Sequence, residues 1–210
     1  MKIKHYMIQD VITATPETTV SQAVHLMENH KIHRLPVVDG GKLVGLVTES
    51  IIAGSSASPA TSLSIYELNY LLSKTTLAEI MDKKPVTASE EMLIEEAAVL
   101  MVEKDLAELT IVDESQRVIG IITYKDIFKA LIDITGYQRP GARFTVHLDK
   151  DQPGELEGVT KILTEKEENI SVLFVNRLAD DIEVTIQITD EDASETVNGL
   201  RTHGYQVDEY

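Results

Sequence analysis

The segment Met7-Ile-Gln-Asp-Val-Ile-Thr13-Ala14 returns as Met81-Asp-Lys-Lys-Pro-Val-Thr87-Ala88, about 74 residues further on, and a duplication fixes an architecture before any single element is assigned. The register holds along both copies. Ala23, Leu26 and Met27 recur as Ala97, Leu100 and Met101, and Leu35, Val38 and Asp39 recur as Leu109, Val112 and Asp113. After one inserted residue, Gly45-Leu-Val-Thr48 recurs as Gly120-Ile-Ile-Thr123. Each copy reads as strand, helix, strand, strand, helix: Val20, Ala23, Val24 and Met27 follow helical spacing, whereas Leu35 to Val38 and Leu43 to Val47 are short β-branched runs. Asp39-Gly40-Gly41 and Asp113-Glu114-Ser115 supply the hairpin turns, with Gly45 and Gly120 read as backbone-geometry residues beside them. Neither copy can cover its apolar strand faces alone, so the two are expected to pack sheet against sheet. Between them, Ala53 to Ala60 reads as a flexible Gly, Ser and Pro-rich loop and Ser64 to Leu72 as a short added helix.

Past Gly136-Tyr-Gln-Arg-Pro-Gly141 the pattern changes. Arg143 to Leu148 alternates as a strand, Gly154 to Lys166 carries Leu156, Val159, Ile162 and Leu163 at helical spacing, and Ile170 to Val175 is a second strand. Ile182, Val184, Ile186 and Ile188 alternate as a strand with one buried face. A helix from Asp192 or Ala193 to about His203 ends at Gly204, and Tyr205 to Glu209 closes the sheet. The order βαββαβ is ferredoxin-like. The expected fold is thus mixed α/β (α+β), with residues 1–78 as the first repeat and its linker helix, 79–136 as the second repeat, and 142–210 as a separate domain.

Composition excludes several classes of function. A chain of 210 residues with 43% apolar and 26% charged residues suits two globular domains. A formal net charge of −16 without a basic stripe opposes nucleic acid. No window approaches a membrane span, and Met1 to Gln9 lacks the apolar run of a signal peptide, so a cytoplasmic protein is expected. There is no Cys, and none of the six His sits in an HExxH-like spacing, so no metal site is expected. The absence of GxSxG, a P-loop or a spaced Ser, His and Asp set argues against an enzyme.

The pattern Thr-Ala-Thr-Pro, Ala-Val-His-Leu-Met, His33-Arg34-Leu-Pro-Val-Val-Asp and Gly45-Leu-Val-Thr48, with its second copy ending Gly120-Ile-Ile-Thr123-Tyr-Lys-Asp126-Ile, resembles a tandem CBS (Bateman) module over about residues 3 to 135. The resemblance implies a nucleotide cleft built from both copies. Thr123 and Asp126 would hold the ribose, His33 and Arg34 the phosphates, Val86 and Thr87 the adenine, with Ile32 and Pro36 as apolar walls. A carboxylate accepts from vicinal hydroxyls and a guanidinium grips phosphate in a bidentate way, so these residue types suit AMP, ADP or ATP. The mirror cleft has Ile51 in place of the Asp and Ala107-Glu108 in place of His-Arg, so one competent site is expected. Thr123 with Asp126 equally fits a helix capping box. Asp151-Gln-Pro-Gly154 between strand and helix resembles the turn of an ACT domain, which implies amino acid binding at Asp151 and Gly154; a helix cap in a domain that only dimerises is the alternative. CBS pair plus ACT unit is similar to the AcuB-type acetoin utilisation family. That resemblance implies a homodimeric regulatory sensor acting on a metabolic partner, or a ligand-free adaptor docked on one.

Overall fold

The computed structural model describes residues 1–56, 65–150, 152–179 and 181–210. The chain divides into two units, Met1–Ile127 and Phe128–Tyr210.

In the first unit, α1 (Val20–His30) begins where Thr19 and Gln22 cap each other, and it buries Val20, Ala23 and Met27, three positions on one helical stripe. Lys31, with φ 53°, ends it in the left-handed conformation. Its counterpart α5 (Ile94–Lys104) buries Ile94, Ala97 and Met101, takes its starting cap from Glu96 to the Leu93 amide, and stops at left-handed Asp105. Each helix is followed by a hairpin. In the first copy β1 (Arg34–Asp39) and β2 (Lys42–Thr48) are joined by Gly40 and Gly41, whose φ values of +53° and +81° are the paired left-handed residues a two-residue turn requires. In the second copy β3 (Thr87–Ala88), β4 (Glu108–Val112) and β5 (Val118–Thr123) form a three-stranded sheet. The first copy's equivalent of β3 is a single parallel bridge from Ala14 to Val37. Leu35, Val37 and Val47 turn inward onto α1 residues, which leaves Arg34 and Pro36 on the opposite side of β1. The helices α2 (Glu49–Ser56), α3 (Ile65–Lys74), α4 (Leu77–Ile80) and α6 (Tyr124–Thr135) complete the order. Ala53 to Ser56, expected as loop, belong to α2, because the helix opened by Thr48 continues through small residues; residues 57–64 lie outside the described ones.

The two copies are joined by exchanging their leading segments. Ile8 and Ile121 trade two backbone hydrogen bonds of 2.8 and 2.9 Å, and Leu46 and Asp82 trade two of 2.9 Å. Each copy's lead thereby pairs with the last strand of the other. This explains Gly45 and Gly120 differently from turn geometry. Neither has a left-handed φ; both lie within strands, where a Cβ would come within 2.4 Å of Met81 Sδ and 2.6 Å of Met7 Sδ respectively. The glycines make room for a methionine arriving from the other repeat.

The second unit orders β6 (Arg143–Leu148), α7 (Glu155–Glu165), β7 (Ile170–Arg177), β8 (Ile182–Ile188), α8 (Ser194–Thr202) and β9 (Gln206–Glu209). Its antiparallel sheet runs β7-β8-β6-β9, the split βαβ arrangement. Phe144, Val146, Val184 and Ile186 pack on Val159, Leu163, Val197 and Leu200. The opposite face was expected to be solvated, yet Thr145, Thr185 and Gln187 are 2%, 7% and 3% exposed. Thr145 and Thr185 bond each other at 2.9 Å, Tyr210 donates to Thr145, and the Gln187 amide donates to the Arg139 carbonyl at 2.7 Å, which offsets part of the cost of burying these groups; Gln187 Oε1 stays buried without a partner. Among the described residues no helix is long and apolar enough to cross a membrane.

The exchange yields a prediction. Gly45→Ala forces a Cβ against Met81 and the Asp82 carbonyl and is expected to lower stability by about 1–3 kcal/mol. In urea unfolding, Gly45→Ala combined with Met81→Ala should cost less than the two single changes added together.

Candidate nucleotide site

The candidate site begins at the β5 to α6 turn. Asp126 in the first turn of α6 accepts both the Thr123 backbone N–H at 2.8 Å and the Thr123 hydroxyl at 2.7 Å on one carboxylate oxygen, Oδ2. The capping geometry read from the sequence is therefore present, and it also presents the acid at a helix N-terminus. In the mirror turn Thr48 Oγ1 accepts the Ile51 N–H at 3.2 Å; a side chain caps this helix too, but Ile51 stands at the position equivalent to Asp126.

Across the sheet, Thr123 lies opposite Glu108 at the start of β4, and Thr87 lies opposite Thr110, two residues further along the same face of β4. Val86, just before β3, is half-exposed. From the other copy, Arg34 reaches Glu108 with Nε to Oε1 at 3.6 Å, both side chains being 19% exposed. Glu108 thus has Thr123 as its strand neighbour in its own copy and Arg34 of the other copy as its ion-pair partner. His33 is more outlying: its Nδ1 is 3.0 Å from Glu49 Oε1, and both side chains are exposed. Pro36 is buried on β1, two residues beyond Arg34, with its carbonyl accepting the Ala14 N–H. Ile32 is half-buried against the first copy's core and donates its N–H to Met27, closing the end of α1.

Sequence reasoning set Glu108 in the mirror cleft only. It occupies the position in β4 that Arg34 occupies in β1, and equivalent positions that touch must lie beside the internal two-fold axis. That equivalence was the signal available. The two cations proposed for phosphate are consequently each matched by an acid, Arg34 by Glu108 and His33 by Glu49. Burial pushes the Glu108 carboxyl above its usual pKa, while Arg34 and then His33 pull it back.

In the second unit, Gly154 is the N-cap of α7 with φ +102°, and a Cβ there would meet nothing within 4 Å. The left-handed backbone, not close approach of a neighbour, is what favours glycine. Asp151 lies outside the described residues.

The CBS domain family model matches residues 3–57 and 77–133, more than half of the chain. The chain belongs to the CBS domain family. An inosine-5'-monophosphate dehydrogenase of Korarchaeum cryptofilum is 36% identical over 127 residues, 60% of this chain and 24% of the relative, so the CBS protein spans about a quarter of that enzyme's length. The CBS-pair protein CBSX2, known from Arabidopsis thaliana and solved in complex with AMP, superposes with a TM-score of 0.53 at 27% identity, covering 63% of this chain and 97% of that one. A Vibrio cholerae protein assigned to acetoin utilization (AcuB) gives a TM-score of 0.55 at 25% identity, covering 66% and 95%.

The Glu108 environment sets a pH dependence. Its folded pKa exceeds the unfolded value near 4.5, so the folded state holds the proton more tightly, and this group's contribution to stability falls as pH rises from about 4.5 through the raised value. Glu108→Gln removes the titration. In paired urea melts, the variant should gain stability relative to the parent between pH 4.5 and pH 7.

Proposed function

We propose that the CBS pair is a non-catalytic regulatory sensor that takes an adenine nucleotide in a single cleft. The observation that carries this reading is the cross-copy contact of Arg34 with Glu108, the strand partner of Thr123, whose hydroxyl and backbone N–H in turn hold Asp126. Asp126 accepts from the ribose hydroxyls, Arg34 and His33 meet the phosphate, and adenine lies against Val86 and Thr87, with Ile32 and Pro36 as walls. AMP bound to CBSX2 supports the ligand class. Because Arg34 already faces Glu108, a bound phosphate must share the guanidinium with that acid, and every additional phosphate adds charge beside it. AMP is therefore favoured over ATP.

The second unit is proposed to be ACT-like, with its Asp151 to Gly154 turn receiving an amino acid and with pairing of two chains into a homodimer. Its βαββαβ order and the left-handed Gly154 support that assignment. The likeness to the AcuB protein supports a metabolic partner in acetoin utilisation. A ligand-free adaptor is the competing reading, favoured by the fact that Asp126 already has a structural task in capping α6.

AMP at about 100 times its Kd should stabilise the protein by about 2.7 kcal/mol. Asp126→Asn, which keeps an acceptor for the cap, is expected to lose most of that stabilisation, and Glu108→Gln to raise AMP affinity about tenfold without raising that for S-adenosylmethionine, whose 5' end carries no phosphate. Calorimetry with AMP, ATP and S-adenosylmethionine checks both. Absence of any adenosyl binding to the parent protein favours the adaptor.

A further inference from the structure

The polar face of the second unit's sheet gathers four potential ligands from three separate stretches of the sequence. His147 on β6 lies directly opposite Glu183 on β8, and Asp181 stands just before that strand. One ligand atom each from His147, Asp181 and Glu183 can be chosen so that all lie within 4.8 Å of one another. His147 Nδ1 is 2.7 Å from Asp181 Oδ2, and Nε2 is 3.0 Å from Asp208 Oδ2 on β9. Asn176 on β7 donates to Glu183 Oε2 at 3.3 Å, orienting that carboxylate from the far side. The imidazole is 18% exposed, so one rim of the cluster opens to solvent.

We propose that His147, Asp181 and Glu183 bind a divalent first-row transition-metal ion, with Asp208 as a positioning residue. Bonds of about 2.0–2.2 Å to nitrogen and carboxylate oxygen place adjacent ligand atoms roughly 3 Å apart, so the 2.7 Å between His147 Nδ1 and Asp181 needs only a slight widening. Glu183 needs a modest side-chain swing toward them. Asp208 accepts the Nε2–H, which fixes the tautomer that turns the Nδ1 lone pair toward the two acids, an arrangement common around ligating histidines. The ion takes the place of the proton between Nδ1 and Asp181, and solvent water completes its coordination at the open rim. One imidazole with two carboxylates suits Zn²⁺ or Mn²⁺, whereas Mg²⁺ strongly prefers oxygen alone. The strand register holds these groups whatever the CBS pair binds.

The experiment is calorimetric titration of the full chain at pH 8 with ZnCl₂ and, separately, MnCl₂, each in millimolar Mg²⁺ to saturate diffuse binding to a chain of net charge −16. One saturable site per chain is expected. His147→Gln and Glu183→Gln should each weaken it by about 100-fold, and Asp208→Asn by about 10-fold with the stoichiometry kept. Circular dichroism identifies any variant that fails to fold, and Glu183→Gln is the isosteric change that serves if His147→Gln does. For the parent and folded variants, Mn²⁺ electron paramagnetic resonance gives the bound fraction independently. The absence of saturable Zn²⁺ and Mn²⁺ binding below about 100 µM overturns the proposal. So does an affinity that no folded variant changes, which would place the ions elsewhere and leave the cluster as a closed ion-pair group.

Discussion

Backbone hydrogen bonds between the copies, among them a pair linking Ile8 with Ile121 and a pair linking Leu46 with Asp82, hold the CBS pair as one body. A two- or three-stranded sheet with one or two helices is too small to bury its own apolar faces. Here each copy borrows a segment of the other to extend its last strand. The bonds are made at the point where Gly45 and Gly120 admit Met81 and Met7, so the requirement for glycine follows from the exchange. The amino terminus follows the same logic: Ile3 is fully buried and donates to the Met92 carbonyl, while Ile94 donates to the Met1 carbonyl, tying the start of one copy to the start of the other's helix.

Near two-fold symmetry then decides the electrostatics. In a symmetric duplication the residues at positions 34 and 108 would be identical, and two arginines or two glutamates facing each other across the axis would repel. Divergence to one of each gives an ion pair where the copies meet. The same divergence distinguishes the two strand-to-helix turns, because Asp126 stands in one and Ile51 in the other. Glu108 is held in a half-buried setting that resists its ionisation, and Arg34 offsets part of that cost.

How far the fold was legible in the sequence depended on whether the signal was local. The start of α6 was readable from Thr123 with Asp126 and the β1 to β2 turn from its two glycines, because each depends on neighbours a few residues apart. Two strands of the second unit, β6 and β8, were legible from alternation. Ala53 to Ser56 were misread because small residues look like loop when the cap preceding them is not weighed, and Gly45 and Gly120 because their reason lies some forty or a hundred residues away. At the candidate site, the Thr123 with Asp126 cap was visible as a local motif, while the ion pair of Arg34 with Glu108 was not, because it joins residues 74 positions apart.

The polar face of the second unit's sheet is the extreme case of non-local assembly. Alternation along β8 correctly marks Val184, Ile186 and Ile188 as one face, but says nothing of whether the other face is wet. Buried Thr185 is partnered by Thr145 from another strand, and buried Gln187 by the Arg139 carbonyl, neither of which is near it in sequence. His147, Asp181, Glu183 and Asp208 come together by the same register. A motif search tests spacings along a helix or a loop, where ligands lie three or four residues apart; on a sheet the spacing is set by strand order and is different for every fold. Histidines without a sequence motif are therefore uninformative in a chain rich in strands until the pairing is known, and the chemistry open to them is decided by what the neighbouring strands place opposite.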